Sequence, residues 1–176
     1  MQRVVVVGGS GSGKTTLAAR LAEHLGADHV QLDAIYHQPN WTPLPNDEFR
    51  DRVTERIAAA RWVVDGNYSI VADIVQPAAD TIVWIDLPRG VSMRRLVRRT
   101  LTRMATNSEL YNGNTEQWRS LLRRDPEHNI LIDAWQRHAA NREKYEHRMI
   151  DGTWSHAEVI RLRTPADLDA FTARHA

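Results

Sequence analysis

The feature that most constrains this chain is a glycine-rich octapeptide, residues 8–15, that directly follows a run of four valines. Its letters, GGSGSGKT, fit the pattern GxxxxGK[ST] at every fixed position. The valine run, residues 4–7, is continuous and β-branched, which is typical of a strand buried on both faces of a parallel sheet. Leu17, Leu21 and Leu25 then recur at helical spacing. The sequence therefore predicts a strand, a phosphate loop and a helix, in that order.

Each residue type in this loop suits the binding of a polyphosphate. Small side chains let backbone N–H groups surround phosphate oxygens, and the N-terminus of the next helix adds positive potential. Lys14 can neutralise the β- and γ-phosphates of ATP, and the Thr15 hydroxyl can ligate Mg²⁺. The alternative is a plain glycine-rich turn. The predicted nucleotide contacts are Gly8, Gly9, Ser10, Gly11, Ser12, Gly13, Lys14, Thr15 and Thr16.

Size and composition narrow the class of protein. The chain has 176 residues, a net charge of +1 and no cysteine, and its length is that of one domain. A near-neutral charge gives no overall attraction for nucleic acid or an anionic membrane. The lack of cysteine excludes thiolate chemistry and favours a reducing compartment. No apolar run approaches the ~18 residues of a membrane span, so we expect a single soluble, cytoplasmic domain over residues 1–176.

The rest of the chain alternates predicted strands and helices, which indicates an α/β fold with a parallel sheet and helices on both faces. Further strands are expected at about residues 30–33, 62–66, 81–86 and 157–162. Helices are expected at about residues 46–60, 91–104, 126–149 and 165–171. An irregular loop with three prolines is expected over residues 35–45.

Two carboxylates end predicted strands and are candidates for chemistry. Asp65 would hold a water ligand of Mg²⁺ on the substrate side, because its strand should lie beside the one that feeds the phosphate loop. Asp33 would orient or deprotonate an acceptor hydroxyl. For each, the alternative is an Asp that caps a turn. His37 and the loop residue Trp41 are candidates for the acceptor pocket, whereas Asp86 is expected to be structural.

Signatures that are missing separate the classes of nucleotide-binding proteins. The chain has no Asn-Lys-x-Asp guanine signature and no Leu-Ser-Gly-Gly-Gln signature. Neither Asp65 nor Asp86 is followed by the Glu with which motor ATPases activate water. These absences favour a small kinase, in which a closing lid keeps water from a bound acceptor. A slow ATPase is the enzymatic alternative.

Residues 89–103 contain six arginines and no acidic residue. Arg95 and Arg99 are i, i+4 neighbours on one helical face, where two guanidinium groups can clamp a transferring phosphoryl group. One alternative is a solvated basic face. Another is a nucleic-acid patch on a nucleotide-gated regulator.

Several blocks of sequence resemble the adenylate-kinase-related P-loop proteins known as topology modulation proteins (FlaR-like), within the nucleoside-monophosphate and shikimate kinase superfamily. The blocks are residues 8–16, 32–33, 39–41, 62–68 and 85–89, and Gly113-Asn114 with Glu116. The resemblance implies a P-loop NTPase three-layer sandwich with a five-stranded parallel sheet in the order 2-3-1-4-5. It also implies an acceptor-binding segment at about residues 33–60 and a lid at about residues 104–128.

The resemblance assigns further roles by position. Seven and eleven residues beyond Pro88 lie Arg95 and Arg99, which correspond to nucleotide-side arginines of adenylate kinases. Arg137 and Arg142 are the nearest matches to arginines that reach the phosphates from the helix after the lid. Adenylate kinases have Asp-Gly-Phe-Pro-Arg where this chain has residues 65–69, DGNYS, so the arginine that binds the acceptor phosphate is missing, which argues against AMP.

The expected function is therefore an ATP- and Mg²⁺-dependent kinase that transfers the γ-phosphoryl group to a small-molecule or nucleotide acceptor. The catalytic candidates are Lys14, Asp33, Arg95 and Arg99. The name of the resembled group suggests an influence on DNA topology, but no residue pattern in the chain indicates duplex recognition.

Overall fold

The valine run is the central strand of a parallel sheet in the structure, a computed structural model that describes residues 1–123, 125–126 and 129–175. The strands are β1 (Arg3–Gly8), β2 (Asp28–Gln31), β3 (Trp62–Asp65), β4 (Thr81–Ile85) and β5 (Glu158–Leu162). They are ordered β2-β3-β1-β4-β5, and neighbouring strands pair in parallel. This order is the one that the resemblance implies, so the expected fold is confirmed.

Helices cover both faces of this sheet. They are α1 (Lys14–Leu25), α2 (Leu32–Tyr36), α3 (Asn46–Arg56), α4 (Ala72–Ala78), α5 (Arg89–Ala105), α6 (Trp118–Leu121), α7 (Ile130–Ile150) and α8 (Pro165–His175). Short 3₁₀ turns lie at Pro39–Trp41, Ser69–Val71 and Tyr111–Gly113. Within the described ranges, no helix combines the length and the apolar character needed to cross a membrane.

Strand β1 shows why its sequence is apolar without alternation. Val5 and Val7 pack into one core together with α3, α4 and α7, whereas Val4 and Val6 pack into a second core together with α1 and α8. All four side chains are at most 2% exposed. Full burial of a side chain of this size contributes about 1.5–3 kcal/mol to folding, so the run stabilises the sheet from both faces.

Strand β2 is shorter than expected, and Asp33 lies in the first turn of α2 rather than at the end of a strand. Gln31 pairs with Asp65, which is the last residue of β3. A strand continued to residue 33 would therefore have no hydrogen-bonding partner. The expected irregular loop over residues 35–45 is also partly wrong, because it contains the end of α2 and the Pro39–Trp41 turn.

Two helices differ from the predicted pattern. No helix is predicted where α4 lies, since seven residues with Pro77 inside are too few to show a helical period. Helix α7 was expected to begin at about residue 126 but begins at Ile130, because the side chain of Asn129 accepts hydrogen bonds from the N–H groups of Leu131 and Ile132. Residues 127 and 128 lie outside the described part of the chain.

Gly66 gives a test of the packing at the end of β3. Its φ is 135°, and a Cβ atom there would lie 2.7 Å from the Cβ of Leu32, which is only 2% exposed. We expect Gly66→Ala to lower the free energy of unfolding by about 1–3 kcal/mol through backbone strain and overpacking. Urea unfolding monitored by circular dichroism measures this change.

Gly90→Ala is the matched control for that variant. Gly90 lies in the first turn of α5, and a Cβ atom there would meet nothing within 4 Å. This substitution should be neutral or should stabilise the protein by about 0.4–1 kcal/mol. Equal unfolding midpoints for the two variants would contradict the packing described at Gly66.

Candidate active site

The phosphate loop turns tightly between β1 and α1. Gly11 and Gly13 have φ values of 77° and 100°, a region that glycine adopts without steric cost. A Cβ atom on Gly11 would overlap the carbonyl oxygen of Ser92 in α5. The glycines are therefore required both by the backbone conformation and by the close approach of α5. Ser12 is buried, and Thr16, although predicted as a nucleotide contact, is exposed.

Lys14 begins α1 and folds its side chain back over the loop. Its Nζ donates a hydrogen bond to the carbonyl oxygen of Gly9 at 3.0 Å. Burial lowers the pKa of Lys14, while the negative charges of Asp33 and Asp65 act in the opposite direction. Both carboxylates therefore lie close enough to the lysine to act on its charge. The structure thus brings together the three charged residues that the sequence singled out near the phosphates.

Asp65 is the centre of a hydrogen-bond network at the end of β3. Its Oδ2 accepts a 2.5 Å hydrogen bond from the Thr15 hydroxyl, and its Oδ1 lies 3.0 Å from Nε2 of His29. The Gln31 amide nitrogen lies 3.2 Å from Nδ1 of His29, so Gln31 donates there and His29 donates to Asp65. The hydroxyl of Thr15 and the carboxylate of Asp65 are hard oxygen ligands, and this pair fits Mg²⁺ directly or through water.

Sequence reasoning missed His29 and Asn67 at this edge of the sheet. His29 lies on β2, the strand that neighbours β3, and this placement is a signal that the predicted strand order could have supplied. The side-chain amide of Asn67 donates to the carbonyl oxygen of Gly8. Asn67 therefore supports the first residue of the phosphate loop from the segment that follows β3.

Arginines of α5 flank the loop. Arg95 Nη1 lies 3.4 Å from the carbonyl oxygen of Ser12. Nε of Arg99 is buried and has no hydrogen-bond partner among the described residues. Burial lowers the pKa of Arg99, with the charge of Arg103 acting in the same direction and that of Glu116 opposing it. A buried guanidinium nitrogen without a partner is costly, so this site fits an anion such as a phosphoryl group.

The two arginines of α7 lie in different surroundings. Arg137 is 71% exposed and pairs with Asp133 of its own helix, so the structure does not bring it to the loop. Arg142 lines a cleft that also contains Gly9, and its Nε lies 3.6 Å from Asp86. Asp86 is tied at 2.6 Å to Arg161 of β5, an ion pair between adjacent strands that accords with the structural role expected for this carboxylate.

Asp33 is reached by side chains that the sequence pattern did not connect with it. The Tyr68 hydroxyl donates a 2.7 Å hydrogen bond to Oδ1 of Asp33, and it lies 3.2 Å from Nε2 of His37. Burial and the Asp33 charge raise the pKa of Tyr68. Burial also raises the pKa of Tyr111, and the negative charges of Asp33 and Asp65 raise it further. Tyr68 and Tyr111 thus join Asp33 and His37 at one place.

Two loops with the same local build meet above these residues. His37 bridges to Pro43, and Glu109 bridges to Thr115; these are called here the 37–43 loop and the 109–115 loop. Each has an asparagine in the left-handed region at its 3₁₀ turn, Asn40 with φ 60° and Asn112 with φ 55°. The first belongs to the predicted acceptor segment and the second to the predicted lid.

Side chains of the 109–115 loop hold the other loop through its backbone. Asn112 donates to the carbonyl oxygens of Ala34 and His37 at 3.0 and 2.6 Å. Asn114 donates to the carbonyl oxygen of Gln38 at 3.0 Å and accepts from the backbone N–H of Trp41 at 2.8 Å. The ring of Trp41 packs edge-on against His37. The structure is therefore closed over Asp33 by these contacts.

Comparisons with known proteins agree with this fold and loop. A family model described as an AAA domain matches residues 4–74. The uncharacterised protein YqaC of Bacillus subtilis is 24% identical over 85% of this chain and 83% of its own length. The cytidylate kinases of Pyrococcus furiosus and Pyrococcus horikoshii are 33% and 32% identical over 54% of this chain. The match spans only 56% of each cytidylate kinase.

Two solved structures share the fold over nearly the whole chain. A gluconokinase from Sinorhizobium meliloti has a TM-score of 0.52 and 19% identity, covering 98% of this chain and 92% of its own. A shikimate kinase from Acinetobacter baumannii in complex with shikimate has a TM-score of 0.53 and 19% identity, covering 99% and 90%. Together the comparisons support a P-loop kinase-like protein, and none of them names the topology modulation group.

The contact between the two loops can be tested by hydrogen exchange. Replacing both Asn112 and Asn114 with alanine removes the side chains that hold the 37–43 loop. Each hydrogen bond contributes about 0.5–1.5 kcal/mol net, so amide protection at Trp41 should fall about tenfold, as measured by NMR exchange. Asn46→Ala, at the exposed start of α3, is the control. Unchanged protection at Trp41 in the double variant would show that the loops are held by other contacts.

Proposed function

We propose that this protein is an ATP- and Mg²⁺-dependent phosphotransferase that acts on a small-molecule or nucleotide acceptor. The observation that carries the proposal is the placement of Lys14 between two carboxylates of different roles: both Asp33 and Asp65 act on its charge. Asp65 is bonded to the phosphate-loop hydroxyl of Thr15, whereas Asp33 is bonded to Tyr68 under the closed loops. A nucleotide side and an acceptor side thus meet at one lysine.

On the nucleotide side, the backbone of residues 8–16 would bind the triphosphate. Lys14 would contact the β- and γ-phosphates, Arg95 would stand beside the loop, and Arg99 would fill its unpaired Nε with a phosphoryl oxygen. Such preorganised donors act mainly on charge that develops during transfer. Thr15 and Asp65 would hold Mg²⁺, which when bound neutralises charge on the phosphate oxygens.

On the acceptor side, Asp33 would take the proton of the attacking group. Tyr68 orients its carboxylate, and His37 and Trp41 would line the pocket. We propose one domain over residues 1–176, with residues 33–60 as the acceptor segment and residues 104–128 as the lid. Of that lid, residues 124, 127 and 128 lie outside the described part. Arg142 would assist from α7, and the exposed, ion-paired position of Arg137 gives it no role in the closed state.

The names of similar proteins support the reaction class. Two relatives are called cytidylate kinases, and the two similar solved structures are a gluconokinase and a shikimate kinase. These kinases differ in acceptor, so their names do not select one. We also propose membership of the topology modulation group, on the sequence blocks alone, and a cytoplasmic location, on the absence of cysteine.

The proposed function predicts distinct losses in two variants. Lys14→Ala should weaken the binding of Mg-ATP and slow phosphoryl transfer by at least ~10³-fold, since it removes a charge that acts on the transferring group. Arg99→Ala should lower kcat by about 10²–10³-fold with a smaller effect on ATP affinity. Calorimetry with Mg-ATP and single-turnover kinetics with labelled ATP measure the two effects.

Arg98→Ala is the matched control, because Arg98 is the exposed neighbour of Arg99 on α5. Its transfer rate should equal that of the wild type. An unchanged rate in Lys14→Ala would overturn the proposed function. A loss of affinity alone in Arg99→Ala would make this arginine a ground-state contact. ADP release that does not depend on any acceptor would favour the slow ATPase, and steeply salt-dependent DNA binding would favour the nucleotide-gated regulator.

A further inference from the structure

The hydrogen bonds around Asp33 determine which polar atoms are left for a ligand. Tyr68 has a single hydroxyl proton, and it donates this proton to Oδ1 of Asp33. The 3.2 Å contact with His37 must then be a donation from Nε2 of the imidazole to the tyrosine oxygen. Burial lowers the pKa of His37, so the imidazole is neutral and its Nδ1 carries a lone pair.

Two acceptor atoms therefore lack a donor. Nδ1 of His37 is buried without a hydrogen-bond partner in the part of the chain that the structure describes. Within the same residues, Oδ2 of Asp33 accepts no hydrogen bond and the carboxylate forms no ion pair. Buried polar atoms without partners are rare in folded proteins. A ligand that carries O–H donors would satisfy both atoms, whereas a phosphate would offer mainly further acceptors.

Electrostatics point in the same direction. The charged side chains that act together at this place are the cations Lys14 and Arg99 and the anions Asp33 and Asp65. Their charges cancel before the triphosphate of the donor adds its own negative charge. A second anionic group beside Asp33 would meet like charge in a closed site, an arrangement that costs several kcal/mol.

The arginines of the acceptor segment do not offset this repulsion. Arg50 is held by Asp73 at 2.8 and 2.9 Å and by the carbonyl oxygen of Ile70. Arg52 is bonded to Glu48 at 2.5 Å on the exposed side of α3. On the other side of the pocket, Arg103 is paired with Glu116 at 3.2 Å. These three cations are already bound to carboxylates of the chain.

We infer that the phosphoryl acceptor is an uncharged, hydroxyl-bearing small molecule, bound as a hydrogen-bond donor by Asp33 and His37, rather than a nucleotide or another phosphorylated compound. The inference rests on the proposed kinase function and narrows its acceptor. In the reaction, the acceptor oxygen forms a bond to the γ-phosphorus as the bond to the β–γ bridging oxygen breaks. The hydroxyl proton passes to Asp33, and the electron pair of the broken bond leaves with ADP.

The test uses the full chain, γ-labelled ATP, Mg²⁺ and acceptors offered as matched pairs. The pairs are adenosine and AMP, cytidine and CMP, ribose and ribose 5-phosphate, and glucose and glucose 6-phosphate. We expect labelled product from at least one uncharged member, at a rate about 100-fold above its phosphorylated partner. Equal or faster transfer to a phosphorylated member overturns the inference and leaves the kinase function standing. Transfer to no compound of any pair overturns the proposed function together with the inference.

A binding experiment separates charge exclusion from catalysis. With the phosphate loop filled by a non-hydrolysable ATP analogue and Mg²⁺, the wild type should bind CMP weakly by calorimetry. Asp33→Asn removes the negative charge and should strengthen CMP binding about tenfold or more. Asp73→Asn is the control, because that carboxylate is 63% exposed and paired with Arg50. Wild-type CMP binding as tight as that of the Asp33→Asn variant would overturn the inference.

Discussion

The parallel register of β1 between β3 and β4 is the constraint on which the candidate site depends. Val6 lies opposite Asp65 of β3, and Gly8 lies opposite Ile85 of β4. The phosphate loop therefore begins at the same edge of the sheet at which β3 ends. The carboxyl ends of parallel strands meet at one edge, and ligands of open α/β sheets bind there. A shift of this register by one residue would turn Asp65 to the opposite face and separate it from Thr15.

Charge is distributed unevenly across the site. Lys14 and the α5 arginines lie against the phosphate loop, while Asp33 lies under the closed loops with tyrosines and a neutral histidine around it. Cations close to the triphosphate stabilise the charge that spreads over its oxygens during transfer. Uncharged donors and acceptors around the carboxylate leave it available to take a proton. The same small pocket can thus attract one substrate by charge and select the other by hydrogen bonding.

Much of the nucleotide side could be predicted from the sequence, because its signals are local. The octapeptide of residues 8–15 needs particular residue types at particular positions, and the valine run before it indicates a strand buried on both faces. The acceptor side could be predicted only in part. Asp33 and His37 were named, but Tyr68, Tyr111 and Asn114 come from segments distant in sequence. Their contacts with Asp33 or Trp41 depend on how the 109–115 loop folds over α2, and no periodicity or spacing encodes that placement.

The loop contacts have a consequence for how the pocket can change. Asn112 donates only to carbonyl oxygens of the peptide chain, at Ala34 and His37, and Asn114 likewise uses the backbone of Gln38 and Trp41. Every residue type offers the same carbonyl, so side chains within the 37–43 loop can be exchanged without weakening closure. A family of variants could therefore diverge in the molecule that they accept while keeping one common way of shutting water out.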